Sequence, residues 1–203
     1  MGRTVVLASG NAGKLRELRA LLADVGLELM SQTECGLCGA AETGATLIEN
    51  ALLKARHAAR MSGHAALADD SGLEVDLLGG APGVHSARFA GADSDDARNN
   101  LKLLELLRGM PAAQRGARFR CVLVYLESAD DPAPLICEGV WEGRILERPR
   151  GAQGFGYDPL FLIPELGRSA AELDAAEKNR LSHRGRATRA LLDALRARPA
   201  AGC

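Results

Sequence analysis

Aromatic residues are scarce in this chain: one Trp, two Tyr and four Phe among 203 residues. Where the few rings fall is therefore informative. Long apolar runs are missing as well, and none approaches the ~20 residues that span a bilayer, so no membrane segment is expected. The first run, Val5-Val6-Leu7-Ala8, gives way to Ser9-Gly10-Asn11 and is too short for the apolar core of a secretory signal. Val6 stands where a myristoylation signal would place Ser or Thr. A cytoplasmic protein is the expectation. An excess of one charge is absent too: the formal net charge is −1, with Lys and Arg scattered. A duplex-binding protein usually carries a basic face against phosphates, so nucleic acid is not expected as a partner. A small anionic ligand needs only two or three placed cations, which this chain can supply.

Cysteine is infrequent and odd in number, five in all, which argues against a disulfide framework. Cys35 and Cys38 form a C-x-x-C in a Gly-rich stretch, but no second pair follows to complete a four-ligand zinc site. Chance spacing in a surface loop is the favoured reading, with a zinc or redox module as its rival. Cys121 and Cys137 lie in apolar, strand-like runs and read as core.

What remains is ordinary for a globular protein, 47% hydrophobic and 25% charged. The length suits one well-buried domain, or two lobes sharing a core. Strand and helix periods alternate from the start. Residues 4–8 read as a buried strand, 14–22 as a helix with Leu15, Leu18, Leu21 and Leu22 on one face, and 27–30 as a strand. Residues 46–61 form a long amphipathic helix whose polar positions include Glu49, Lys54 and Arg56. A strand over 65–68 runs into Asp69-Asp70-Ser71-Gly72. Asp93 or Ser94 is expected to cap a helix reaching Arg108. Strands follow over 119–126, 135–141 and 143–146, with a turn near Glu142-Gly143. Ala187, Leu191, Leu192 and Leu195 mark a last helix, and the tail 199–203 is expected to fray. With no repeat and no linker rich in Pro, Gly and Ser, the chain reads as one α/β unit over 1–203, with a mixed, partly antiparallel sheet and helices around it.

Four segments hold the chemistry. Ser9-Gly10-Asn11-Ala12-Gly13-Lys14 joins a strand to a helix, where unpaired N–H groups and the helix dipole attract phosphate. Lys14 adds a full charge. The segment is not a P-loop, because Leu15 stands where Ser or Thr would bind magnesium; a simple turn is the alternative. Asp69-Asp70-Ser71-Gly72 offers adjacent carboxylates that point to opposite sides of an extended chain. Magnesium takes one or two carboxylates with water and phosphate oxygens, and Glu42 is a candidate second ligand. The same four residues could equally be a turn. Gly154-Phe155-Gly156-Tyr157-Asp158-Pro159 concentrates two of the seven rings in one loop, suited to stacking on a base or to plugging the core. Lys178, His183 and Arg184 form a set of donors fit for a purine carbonyl, unless Lys178 is a solvated charge and Ser182 a helix cap.

Taken in order, these segments resemble the inosine-triphosphate pyrophosphatase family, the dITP/XTP diphosphatases, from Val5 to about Leu195. The resemblance also rests on Glu42-Thr43-Gly44 with Ile48-Glu49-Asn50-Ala51, on Gly79-Gly80-Ala81-Pro82-Gly83-Val84, and on Ser86-Ala87-Arg88. Cys35 and Cys38 lie outside its pattern. It implies an α/β fold with a long central mixed sheet flanked by helices, in two lobes with the active site in the cleft between them. It implies hydrolysis of ITP, dITP and XTP to the monophosphate and pyrophosphate, serving to cleanse the nucleotide pool, with Mg2+ as cofactor and a homodimer as the assembly. By resemblance, Ser9, Gly10, Asn11, Ala12, Gly13 and Lys14 hold the triphosphate. Asp70 is the general base and a metal ligand, and Glu42 helps to hold metal. Ser71, Phe155, Gly156, Tyr157 and Asp158 line the nucleotide, Phe155 stacking on the base, while Lys178, His183 and Arg184 read the purine edge. A catalytically silent nucleotide-binding protein is the alternative, against which Asp70, Glu42 and Lys14 all count.

Overall fold

The structure, a computed structural model, describes residues 3–23 and 26–198; the tail expected to fray lies outside them. The chain opens with β1 (Arg3–Ala8), α1 (Ala12–Leu21) and β2 (Leu27–Ser31), then α2 (Leu47–Ser62) and β3 (Ala65–Val75). α3 (Asp96–Leu106) leads to the long strands β4 (Gly116–Leu126) and β5 (Leu135–Ile145). Short strands β6 (Phe161–Ile163) and β7 (Arg168–Ser169) follow, then α4 (Ala175–Leu181) and α5 (His183–Ala197). The seven strands form one sheet in the order β2-β1-β3-β4-β5-β6-β7. β1 is parallel to both β2 and β3, whereas β5–β6 and β6–β7 are antiparallel. The sheet is mixed, as expected. Among the described residues no helix is long and apolar enough to cross a membrane.

Two strands depart from the sequence reading, each for a reason that involves distant residues. Asp69-Asp70-Ser71-Gly72 is not a turn; β3 runs straight through it to Val75. Gly72 serves a close approach, since a Cβ there would lie 2.2 Å from the Gly83 carbonyl oxygen. Likewise no turn interrupts β5 at Gly143: it lies within the strand, and a Cβ would come within 2.5 Å of the Phe161 ring. The cap of α3 falls on Asp95, whose side chain accepts the Arg98 N–H, one residue past the expected pair.

The chain divides into two compact units, each with its own core. The first takes the chain up to Asp70, the stretch Cys121–Gly139, and the chain from Arg184 onward. Val5, Leu7, Leu18, Leu67, Leu123, Tyr125, Ala187 and Leu191 belong to its core. The second takes Ser71–Arg120 and Val140–His183. Its core gathers Leu73, Val75, Leu103, Phe119, Trp141, Tyr157, Leu160 and Phe161, and so holds most of the chain's few rings.

Candidate active site

In the first unit the loop after β1 forms the entry to α1. Asn11 is the N-cap and accepts the Lys14 N–H at 3.0 Å, while Ser9 Oγ accepts the Asn11 N–H at 3.2 Å. This is a helix start built from sequence-local bonds, as the strand-to-helix pattern predicts. The Lys14 side chain folds back, its Nζ 2.6 Å from Asp69 Oδ1.

Asp69 and Asp70 follow each other along β3 and meet different partners. Asp69 is wholly buried and receives Lys14, Arg184 Nε at 2.7 Å and the Cys121 thiol at 3.2 Å. Arg184 also bonds Glu17 on α1. Burial alone would raise the Asp69 carboxyl, but Arg184 and Lys14 more than offset it and hold the group well below the usual carboxylate range. Burial and the Asp69 charge push the Cys121 thiol well above its ordinary value.

Asp70 turns to α2. Lys54 Nζ is 2.6 Å from Asp70 Oδ1 and 3.2 Å from Glu42 Oε1, and donates to the Asp69 carbonyl at 2.7 Å. Here burial prevails over Lys54 and Lys14, and the Asp70 carboxyl is raised. For Lys54 the order reverses: burial opposes its charge, yet Asp70 and Glu42 raise its ammonium further. Asp70 Oδ2 is buried and has no hydrogen-bond partner among the described residues. An anionic oxygen left bare beside a second carboxylate, Glu42, is a position that a hard divalent cation fits. No group of three or more His, Cys, Asp or Glu side chains among the described residues is arranged to hold an ion. A metal here would rest on two carboxylates, with water and phosphate oxygens completing its shell, which is the manner of magnesium.

The second unit holds the aromatic loop. Gly154 and Gly156 have φ of +77° and +61°, conformations that favour glycine. Asp158 Oδ2 accepts the Phe155 N–H at 2.9 Å and also the Lys178 ammonium. That ammonium lies 4.6 Å from the centre of the Phe155 ring, within cation–π range. Asp96 accepts the Gly156 N–H at 2.6 Å and Asn100 donates to the Gly156 carbonyl at 2.8 Å, so the start of α3 fastens the loop. Tyr157 turns inward, its hydroxyl donating to the Ser86 carbonyl at 2.9 Å. Its ring belongs to the core, and Phe155 is the one left half-buried in the loop. The His183 ring stacks on Phe119, centroids 4.7 Å apart.

The structure thus gathers Lys14, Asp69, Asp70, Glu42 and Arg184 within the first unit, and Phe155, Tyr157, Asp158, Lys178 and His183 within the second. In the structure the Arg184 guanidinium pairs with Asp69 and Glu17, the carboxylates that a fully buried cation requires. The Tyr157 side chain anchors the loop. Lys54 and Glu17 escaped the sequence reading: each looks like one more charge on the polar face of an amphipathic helix, and only a buried partner distinguishes it.

Known proteins bear the same design. The model of the Ham1 family matches residues 5–194. The dITP/XTP pyrophosphatase of Escherichia coli O157:H7 is 60% identical over 192 residues, 95% of this chain and 98% of that protein. That of Pectobacterium atrosepticum is 59% identical over the same shares of each chain. Among solved structures, a HAM1 protein from Coxiella burnetii is 49% identical with a TM-score of 0.89, covering 97% of this chain and all of that one. A nucleoside-triphosphatase, dITP/XTP pyrophosphatase, from Mycobacterium abscessus is 44% identical with a TM-score of 0.74, over 93% and 98% of the two chains. With its motifs in order and its length matched almost end to end, the chain belongs to the Ham1 family.

Proposed function

We propose that this chain is a pyrophosphatase of non-standard purine nucleoside triphosphates. It converts ITP, dITP and XTP to the monophosphate and pyrophosphate. The observation that carries this reading is Asp70: a buried carboxylate with a raised pKa, one oxygen held by Lys54 and the other without a hydrogen-bond partner among the described residues. The curated relatives supply the substrate class by their activity.

The chemistry follows from the residues. Water attacks the α-phosphorus; its proton passes to Asp70, and the bond to the pyrophosphate oxygen breaks. A general base works best when its pKa approaches the operating pH, and burial moves Asp70 in that direction. Lys54 keeps Asp70 Oδ1 fixed, so that Oδ2 is the atom presented. Asp70 and Glu42 would hold the magnesium ion, which when bound neutralises the leaving pyrophosphate and polarises phosphate oxygens. The Ser9–Lys14 segment receives the phosphates, and Ser71 lies next along β3. Phe155 supplies the face on which the base stacks, with Lys178 and His183 as donors for a 6-carbonyl. An adenine amino group leaves such donors unpaired, a mismatch that can reach ~10⁴-fold discrimination in buried sites. A cytoplasmic homodimer that cleanses the nucleotide pool completes the reading.

A panel of ITP, XTP, dITP, GTP and ATP with magnesium, monitored separately for pyrophosphate and orthophosphate, tests the assignment. Pyrophosphate should appear in one step, with ITP and XTP far ahead of ATP. Orthophosphate released stepwise through a diphosphate would overturn it, as would absence of turnover, the mark of a silent nucleotide-binding protein.

A further inference from the structure

The segment that carries Glu42 is fastened to α2 by three consecutive N–H groups. Those of Ala45 and Thr46 go to Glu49 Oε2 at 2.7 and 3.0 Å, and that of Gly44 goes to Asn50 Oδ1 at 2.8 Å. The Glu49 part belongs to an ordinary capping box with Thr46. The Asn50 part does not: a capping box is complete at Glu49, and Asn50 stands one residue beyond it inside the helix. Asn is a poor helix former, and this one is fully buried with its Nδ2 lacking any hydrogen-bond partner among the described residues. Leu, close to it in shape, would fill the place without that cost.

The fit is tight from the other side too. A Cβ on Gly44 would lie 2.6 Å from Glu49 Cβ and 2.8 Å from Asn50 Oδ1, so the loop backbone is pressed directly onto the amide. Two residues before Gly44 lies Glu42, and one turn after Asn50 lies Lys54, which reaches both Glu42 and Asp70. One helix face therefore controls the Glu42 carboxylate twice, through the loop backbone at Asn50 and through the side chain at Lys54.

We infer that Asn50 is a positioning residue for the cation site: by gripping Gly44 it sets the reach of Glu42 toward the ion shared with Asp70. This rests on the reading of Glu42 and Asp70 as the ion's ligands. Asn50 touches neither nucleotide nor ion, and its effect is confined to cation affinity.

Two variants test it. Asn50→Leu keeps the branched shape and removes the bond; Gly44→Ala disturbs the same contact from the loop side, so the test stands on either variant alone. Mn2+ binding to the free protein, followed by the electron paramagnetic resonance of unbound Mn2+, is read beside the Mg2+ concentration for half-maximal ITP hydrolysis. Thermal melts identify which variants are folded. Supporting partners of metal ligands are worth roughly 10–100-fold in metal affinity, and a loss of about tenfold in both cation readouts is expected. The KM for ITP at saturating Mg2+ should stay within about twofold, because the phosphate and base contacts are untouched. Unchanged Mn2+ binding in a folded variant would overturn the inference, as would a raised KM with cation affinity intact. A wild-type protein that binds no Mn2+ and needs no Mg2+ would remove the underlying reading as well.

Discussion

Each unit sets a lysine against a buried aspartate, and the two pairs serve different ends. In the first, Asp69 takes Lys14 and shares its charge with Arg184 and the Cys121 thiol, so the pair sits inside a wider charge network. In the second, Asp158 takes Lys178 and the Phe155 N–H, and Lys178 lies over the Phe155 ring. There the pair is a post that steadies a loop and a ring. The difference teaches that an identical salt bridge has no fixed meaning. Charges packed around charges act on any phosphate chain alike, whereas a charge packed on a ring acts on whatever the ring meets.

The sharpest way to test that division is Asp70→Asn. Shape is kept and the proposed base removed, so kcat should fall about 10²–10⁴-fold for every nucleotide, with circular dichroism unchanged. Asp69→Asn should act on the fold instead. Losing one partner of a buried ion pair costs about 3–5 kcal/mol, because Arg184 and Lys14 keep charges they can no longer share. For a chain of this size that is a fall of roughly 6–20 °C in Tm at neutral pH. The Asp69 carboxyl is held low in the folded state, so its contribution is complete above the ordinary carboxylate range and vanishes as pH falls through the depressed value. The Tm gap between wild type and variant should therefore close on acidification; a gap that persists in strong acid would show that charge is not the cause.

Base selection separates the two units directly. Lys178→Met should compress the ratio of kcat/KM for ITP over ATP by about tenfold, the value of one unsatisfied buried donor. Arg184→Leu, from the other network, should lower both nucleotides together and leave the ratio nearly unchanged. The opposite pattern would dissolve the comparison. The smallest effect is expected from Cys35→Ser combined with Cys38→Ser, where activity should stay within about twofold, as for surface substitutions in general. A tightly bound equivalent of zinc, lost in that double variant, would revive the metal module set aside above.

Much of this was legible in the sequence wherever a signal is local. The apolar periods of α1 and α2 come through at nearly the right residues, and in the structure nearby side chains cap both starts, Asn11 for α1 and Thr46 with Glu49 for α2. The mixed sheet followed from alternating and then consecutive strands. What escaped depends on partners far away in sequence. Gly72 and Gly143 read as turn residues, yet each lies within a strand because another segment crosses too close for a Cβ. Arg184 reads as a donor for a ligand, and nothing local announces that it also pairs with Asp69, 115 residues earlier. Lys54 looked like solvated helix surface, since spacing tells which face a residue occupies but not what lies opposite it.

The Cys121 thiol has a further consequence, one of reactivity. Oxidants and alkylating agents attack thiolate, and they attack it where they can reach it. Cys121 is fully buried and kept protonated by that burial and by the carboxylate it faces, so this sulfur beside the acid pair is chemically mute. Cys38, by contrast, is exposed at the surface with Cys35 half-buried near it, and among the described residues these two would meet a reagent first. Oxidation would then fall on Cys38 and Cys35 while the buried Cys121 and Cys137 stay reduced.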